Sequence, residues 1–149
     1  PIEQLKEAAI KQLKDGRPVW FGCDVGQFSI REGVMDPDVL RYDELLGVKF
    51  TLDRGQRLEY HQSLMTHAMV LLGVNLDEDG HPTRWRVENS WGKDAGADGY
   101  YVMSDEWFDE YLYQIVVDKK YLPRETAALL WQAPIMLQPW DPMASLALV

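Results

Sequence analysis

Apolar residues in the first fourteen positions recur at helical spacing, with Ile2, Leu5, Ala8, Ala9 and Leu13 on one stripe and Lys and Glu between them. That period predicts an amphipathic helix over 2–14, which Asp15-Gly16 ends. Val19-Trp20-Phe21-Gly22-Cys23-Asp24-Val25 then forms a nearly unbroken apolar run and predicts a buried strand. From 27 to about 62 no period dominates. A stretch of that length predicts a wrapping or functional loop, or an insertion, with one short helix around Tyr42–Leu46. Strand signals return over 66–76, 84–89, 99–103 and 113–118, rich in Val, Tyr and Trp, and Asp79-Gly80 predicts a hairpin turn between the first two. Ser104 is placed to cap a short helix over 105–112, and a last helix is expected over 124–132. Beyond it, Pro134, Pro139 and Pro142 remove backbone donors and keep the chain extended. The outline is α+β: a helix, a mostly antiparallel sheet, then a helix and an arm. It divides into a packed part over 1–132 and an extended C-terminal arm over 133–149.

Composition adds limits. The chain has 149 residues, 46% hydrophobic and 11% aromatic, enough apolar material for one sizeable core and against disorder. Fifteen Lys plus Arg against 24 Asp plus Glu give a formal charge of −9. Phosphate backbones and anionic lipid repel such a surface, so neither nucleic acid nor a membrane is expected as a partner. Cys23 is the single cysteine, which excludes an internal disulfide and a Cys-rich metal site. No metal or other cofactor is expected, and a reducing, cytoplasmic setting fits best. Pro1 stands where an initiator Met would, directly before a helical pattern, which suggests a fragment or processed product.

Two segments carry the candidate chemistry. Thr66-His67-Ala68-Met69 opens one strand and Glu88-Asn89-Ser90-Trp91-Gly92 closes a later one. Hairpin pairing of those strands would bring His67 beside Asn89. An imidazole next to a side-chain amide suits a thiol nucleophile. The ring takes the thiol proton and leaves a thiolate–imidazolium pair ionised near neutral pH. The amide oxygen holds the other ring nitrogen and fixes tautomer and orientation without adding charge. Trp91 is placed to keep water off that hydrogen bond.

These segments resemble the histidine and asparagine segments of papain-family cysteine peptidases, the second together with Gly99-Tyr100-Tyr101. The runs Val19–Val25, Trp85–Gly92, Asp105-Glu106-Trp107-Phe108 and Pro139-Trp140-Asp141-Pro142-Met143 resemble, more narrowly, the bleomycin hydrolase and aminopeptidase C branch. The likeness extends from the first strand to the tail, in family order. It implies the β-rich right-hand half of the papain architecture, with His67 as general base and acid, Asn89 as its orienting partner and Trp91 as the shield. It also implies a nucleophilic cysteine and an oxyanion Gln in a preceding domain, neither of which this chain contains. A homohexamer and peptide substrates with a free N-terminus follow from the same resemblance. In that family the C-terminal arm lies in the cleft and its carboxylate meets the substrate's α-ammonium; here that group would belong to Val149. Related chains stop nearer Ala147, so Leu148 and Val149 look like an extension.

Other residues have plainer readings. Cys23 sits in a strand pattern rather than at a helix start and is expected to be a buried, inert thiol. Trp20, Trp85 and Trp107 are expected in the core. Asn75-x-Asp77-x-Asp79-Gly80 matches the opening of a calcium loop, but Arg86 occupies the twelfth position, where a bidentate Glu is required, so a hairpin turn is the better reading. His61 and His81 are expected at the surface. Asp105, Glu106, Asp109 and Glu110 are expected to form a solvated helix face. A bare apolar face, and hence self-association, is expected of a half-site domain. The alternative to a peptidase part is a non-catalytic acidic binding or assembly module.

Overall fold

The computed structural model describes residues 1–141, and the first helix begins as its periodicity predicts. Helix α1 spans Ile2–Lys14 and is closed by Gly16 in the left-handed region, at φ 72°. Strand β1 covers Val19–Cys23, two residues shorter than the apolar run, because Asp24 turns its side chain to a polar cluster. The stretch after it is less irregular than its sequence pattern. It holds a two-residue strand β2 (Val34–Met35), a 3-10 turn at Pro37–Val39, the expected helix α2 (Tyr42–Leu46) and a further helix α3 (Arg54–Glu59). Asp53 caps α3 in a reciprocal box with Gln56.

Strands β3 (His67–Leu76) and β4 (Pro82–Glu88) form the hairpin expected around Asp79-Gly80. Gly80 takes φ 89°, and the Asp77 carboxylate accepts from the N–H groups of Asp79 and His81, which is turn chemistry. Strand β5 (Tyr100–Ser104) runs straight into helix α4 (Asp105–Tyr111), capped by Ser104 Oγ accepting from Trp107 N–H at 3.2 Å. Strand β6 (Leu112–Val116) follows, and a short helix α5 (Arg124–Ala128) continues into a 3-10 turn at Leu129–Trp131. Met143, Leu146, Leu148 and Val149 lie outside the described residues.

The six strands form one sheet in the order β2-β5-β4-β3-β1-β6, antiparallel except where β2 runs parallel to β5. The inner face carries Phe21, Cys23, Met69, Leu71, Trp85, Val87, Tyr101 and Met103, all buried. Helices α1 and α4 cover it: Ala8 and Ala9 approach from one, Trp107, Phe108 and Tyr111 from the other. The Trp85 and Phe108 rings stack at 4.7 Å.

Two expectations are corrected here. Trp20 is 57% exposed, because strand alternation sends it to the outer face of β1, opposite the likewise exposed Val116 of neighbouring β6. The acidic face of α4 is not simply solvated. Buried Lys6, from α1, places its ammonium 2.6 Å from Asp105 and 2.7 Å from Asp109, and Arg57, from α3, pairs with Glu110. Arg54 and Arg57 also donate to the carbonyls of Asp109, Glu110 and Leu112, at the C-terminal end of α4. Guanidinium groups suit those carbonyls, which have no partners within the helix. Through them the stretch before β3 is pinned to the core.

Candidate active site

Antiparallel pairing decides the geometry. Cys23 is the cross-strand partner of His67, and Val70 of β3 lies opposite Glu88 of β4. His67 therefore projects from the first residue of β3 and Asn89 from just past the last residue of β4, at the same end of the sheet. His67 Nε2 stands 2.8 Å from Asn89 Oδ1. Asn89 is 8% exposed, whereas His67 is only partly buried. The imidazole is thus reachable while its partner is not.

The backbone settles which atom faces which. The N–H of Ser90 donates to Asn89 Oδ1 at 2.8 Å. An amide N–H cannot donate to an NH₂ group, so the oxygen must point to this side. The same oxygen faces His67, which makes Nε2 the protonated nitrogen of the neutral ring and leaves Nδ1 as the acceptor. Among the described residues, Nδ1 has no hydrogen-bond partner. Nothing in residue type alone identifies Ser90 as part of this arrangement, since it is a main-chain group that contributes.

Trp91 lies against the ring, with centroids 5.0 Å apart and planes at 28°, and it meets Tyr101 in a T-shaped contact with centroids 6.2 Å apart. At 51% exposure it stacks on the imidazole while about half of its own surface stays in solvent. The loop that carries it needs close backbone approach. Gly96, at φ 62°, lies where an added Cβ would run into the Tyr100 carbonyl and the Tyr101 ring. Asn89 N–H donates to Gly99 O at 3.0 Å and closes the loop. Nδ2 of Asn89 is buried without a hydrogen-bond partner among the described residues.

Cys23 is on the same end of the sheet, but it is fully buried in the inner face. Burial, and then the neighbouring Asp24 carboxylate, push its thiol far above the usual cysteine range. A thiol held protonated is not a nucleophile. Iodoacetamide at mildly alkaline pH is expected to leave Cys23 unlabelled in the folded protein and to label it after unfolding, read by mass spectrometry. Labelling of native Cys23 would contradict its burial. His61 takes a left-handed backbone, at φ 55°, in an exposed turn, and His81 lies in the β3–β4 turn beside Asp77. The structure brings neither to His67. Val149 cannot be placed, since it lies outside the described residues.

Comparison with known proteins gives the family of the chain. A family model described as the Peptidase C1-like family matches residues 1–144. Aminopeptidase C of Lactococcus lactis subsp. lactis (strain IL1403) is 54% identical over 147 residues, which are 98% of this chain and 34% of that protein. Bleomycin hydrolase of Homo sapiens is 48% identical over 151 residues, 99% of this chain and 33% of that protein. The crystal structure of pepw from Lactobacillus rhamnosis hn001 superimposes with a TM-score of 0.92 at 51% identity, covering 96% of this chain and 33% of that one. The chain thus spans about a third of the length of the curated relatives it matches. The α+β, papain-like fold and the likeness to aminopeptidase C and bleomycin hydrolase therefore stand together, and the chain belongs to the Peptidase C1-like family.

Proposed function

We propose that this chain is the general-base half of a cysteine aminopeptidase of bleomycin hydrolase type, and that the thiol it serves comes from a preceding, nucleophile-bearing part of the full-length protein. The observation that carries the reading is the 2.8 Å contact of His67 Nε2 with Asn89 Oδ1, which directs Nδ1 outward as an acceptor. The proton of the incoming thiol passes to Nδ1, and the thiolate attacks the scissile carbonyl. The tetrahedral intermediate collapses as the imidazolium returns that proton to the leaving amine, which leaves an acyl-enzyme. Water, deprotonated by the same nitrogen, then releases the acid and restores the thiol. Asn89 holds the ring through both proton transfers, and Trp91 shields their hydrogen bond.

Buried Cys23 supports an external nucleophile. By the same family reading, the substrates are peptides with a free N-terminus, the terminal carboxylate (Val149, if retained) meets their α-ammonium, and the active form is a homohexamer in the cytoplasm. A fixed anion in a partly dry cleft would favour the ammonium and exclude longer N-terminal extensions. Among the described residues, no helix is long and apolar enough to cross a membrane.

The test uses the full-length peptidase. An aminoacyl-coumarin is expected to be hydrolysed, its N-acetylated analogue is expected to be spared, and prior alkylation of the thiol is expected to abolish the reaction. Hydrolysis that survives alkylation would remove the thiolate mechanism. Equal cleavage of the blocked substrate would remove the aminopeptidase assignment.

A further inference from the structure

Behind His67 lies a polar cluster that the reaction as written does not use. Asp24 follows Cys23, the cross-strand partner of His67, and is only 5% exposed. Its own N–H donates to Tyr111 O at 3.0 Å, which ties its backbone to the end of α4. Its carboxylate collects three donors. Oδ2 accepts from Ser63 Oγ at 2.8 Å and Leu64 N at 3.2 Å, and Oδ1 accepts from Thr66 Oγ1 at 3.3 Å. All three belong to residues 63–66, the turn that delivers the chain to His67. Thr66 N–H also donates to Cys23 O at 2.9 Å.

We propose that Asp24 is a positioning residue for His67, its buried carboxylate fixing the 63–66 turn and so the point in space from which the imidazole projects. This rests on the reading of His67 as general base. A carboxylate can only accept, so the single Ser63 hydroxyl proton is directed to it. Tyr113 OH, 2.6 Å from Ser63 Oγ, must then donate to Ser63, and the direction of the chain is settled. The Arg54 guanidinium lies over the Tyr113 ring at 5.0 Å and adds positive charge at the far end. Among the described residues, Asp24 makes no ion pair, and its hydrogen bonds carry its desolvation.

The two anchors of the histidine act differently. Asn89 tethers Nε2 and fixes the tautomer, with Trp91 stacked on the ring. The strand origin, held by Asp24, decides where Nδ1 lies relative to an incoming sulfur. A displacement of ångström size at such a nitrogen costs rate without costing substrate affinity.

The experiment compares Asp24→Asn with the parent full-length peptidase, normalised to active sites by thiol titration. The amide keeps the shape but cannot accept three hydrogen bonds with both atoms. kcat is expected to fall about tenfold, with KM within about twofold. The pH midpoint for alkylation of the catalytic thiol is expected to rise, because a displaced imidazolium stabilises the thiolate less. A residue that merely supports folding would change the titratable fraction and leave that midpoint alone. Unchanged kcat and an unchanged midpoint per active site would overturn the proposal. Should Asp24→Asn fail to fold, Thr66→Val carries the same expectation, and an unmoved midpoint there overturns it equally. Full activity in His67→Ala would instead overturn the general-base reading, and this proposal with it.

Discussion

In the full-length peptidase, His67→Ala is expected to lower kcat/KM by about 10²–10⁴-fold, the range a positioned general base contributes. Two steps lose their proton carrier at once: the thiol must ionise without help, and the leaving amine departs without a donor. The change should cost little stability. His67 is only partly buried at the end of β3, and its described side-chain contacts are one hydrogen bond to Asn89 and the face of Trp91. A loss of about 1 kcal/mol is expected, as for a residue outside the packed interior. Steady-state kinetics and urea denaturation on the same preparation separate the two effects. A variant within about threefold of the parent rate would remove His67 from the general-base role.

The largest effect on stability is expected at Lys6. Its side chain is buried between α1 and α4, and its ammonium neutralises two carboxylates one helical turn apart, Asp105 and Asp109. Asp105 also accepts from Trp85 Nε1 at 3.0 Å, which links the triad to the largest core side chains. Lys6→Ala removes the cation and leaves both anions facing each other beside a cavity. Truncating one partner of a fully buried pair costs about 3 kcal/mol, mainly because the remaining charge is uncompensated. The Asp109 side chain is 37% exposed, so water screens part of that charge and a cost of about 2 kcal/mol is expected. Equilibrium denaturation of the variant measures it, and a smaller cost in an Asp109→Ala background would show that the charge, rather than lost packing, is responsible.

The pH dependence has a definite sign. Burial by itself would lower the Lys6 pKa, but the hydrogen bonds and charges of Asp105 and Asp109 outweigh it, and the value in the folded protein is raised above 10.5. On the alkaline side the contribution of the Lys6 ammonium is therefore full up to pH 10.5 and is lost as pH rises through the elevated folded value. The gap in stability between parent and Lys6→Ala should narrow on that alkaline limb. A gap that widens there would contradict the raised pKa.

How far the sequence could be read depended on what kind of pattern each element leaves. Helix α1 and the hairpin β3–β4 are local: a stripe at helical period and a turn dipeptide fix them with few distant contacts. The cap of α4 by Ser104 is equally local. Helix α3 leaves a weaker pattern. Its residues Arg-Gly-Gln-Arg-Leu-Glu carry one apolar group, and its place comes from two arginines reaching the end of α4, more than fifty residues away in sequence. The strand run around Trp20 misled for the opposite reason. Apolar composition predicts burial, but alternation sends every second side chain to the outer face, whatever its type.

By itself the sequence determined the α+β outline, the residue types at the two strand ends and the likeness to a peptidase family, because periodicity, turn residues and short motifs are written within a few neighbouring positions. Only the tertiary structure decided that the amide oxygen of Asn89 faces Nε2, that Ser90's main chain enforces it, and that Lys6 and Asp24 are buried where composition would leave them in water. Each of these depends on groups far apart in the chain meeting at hydrogen-bond distance. A charge is buried or solvated according to what the fold sets against it, and no single stretch of chain carries that information.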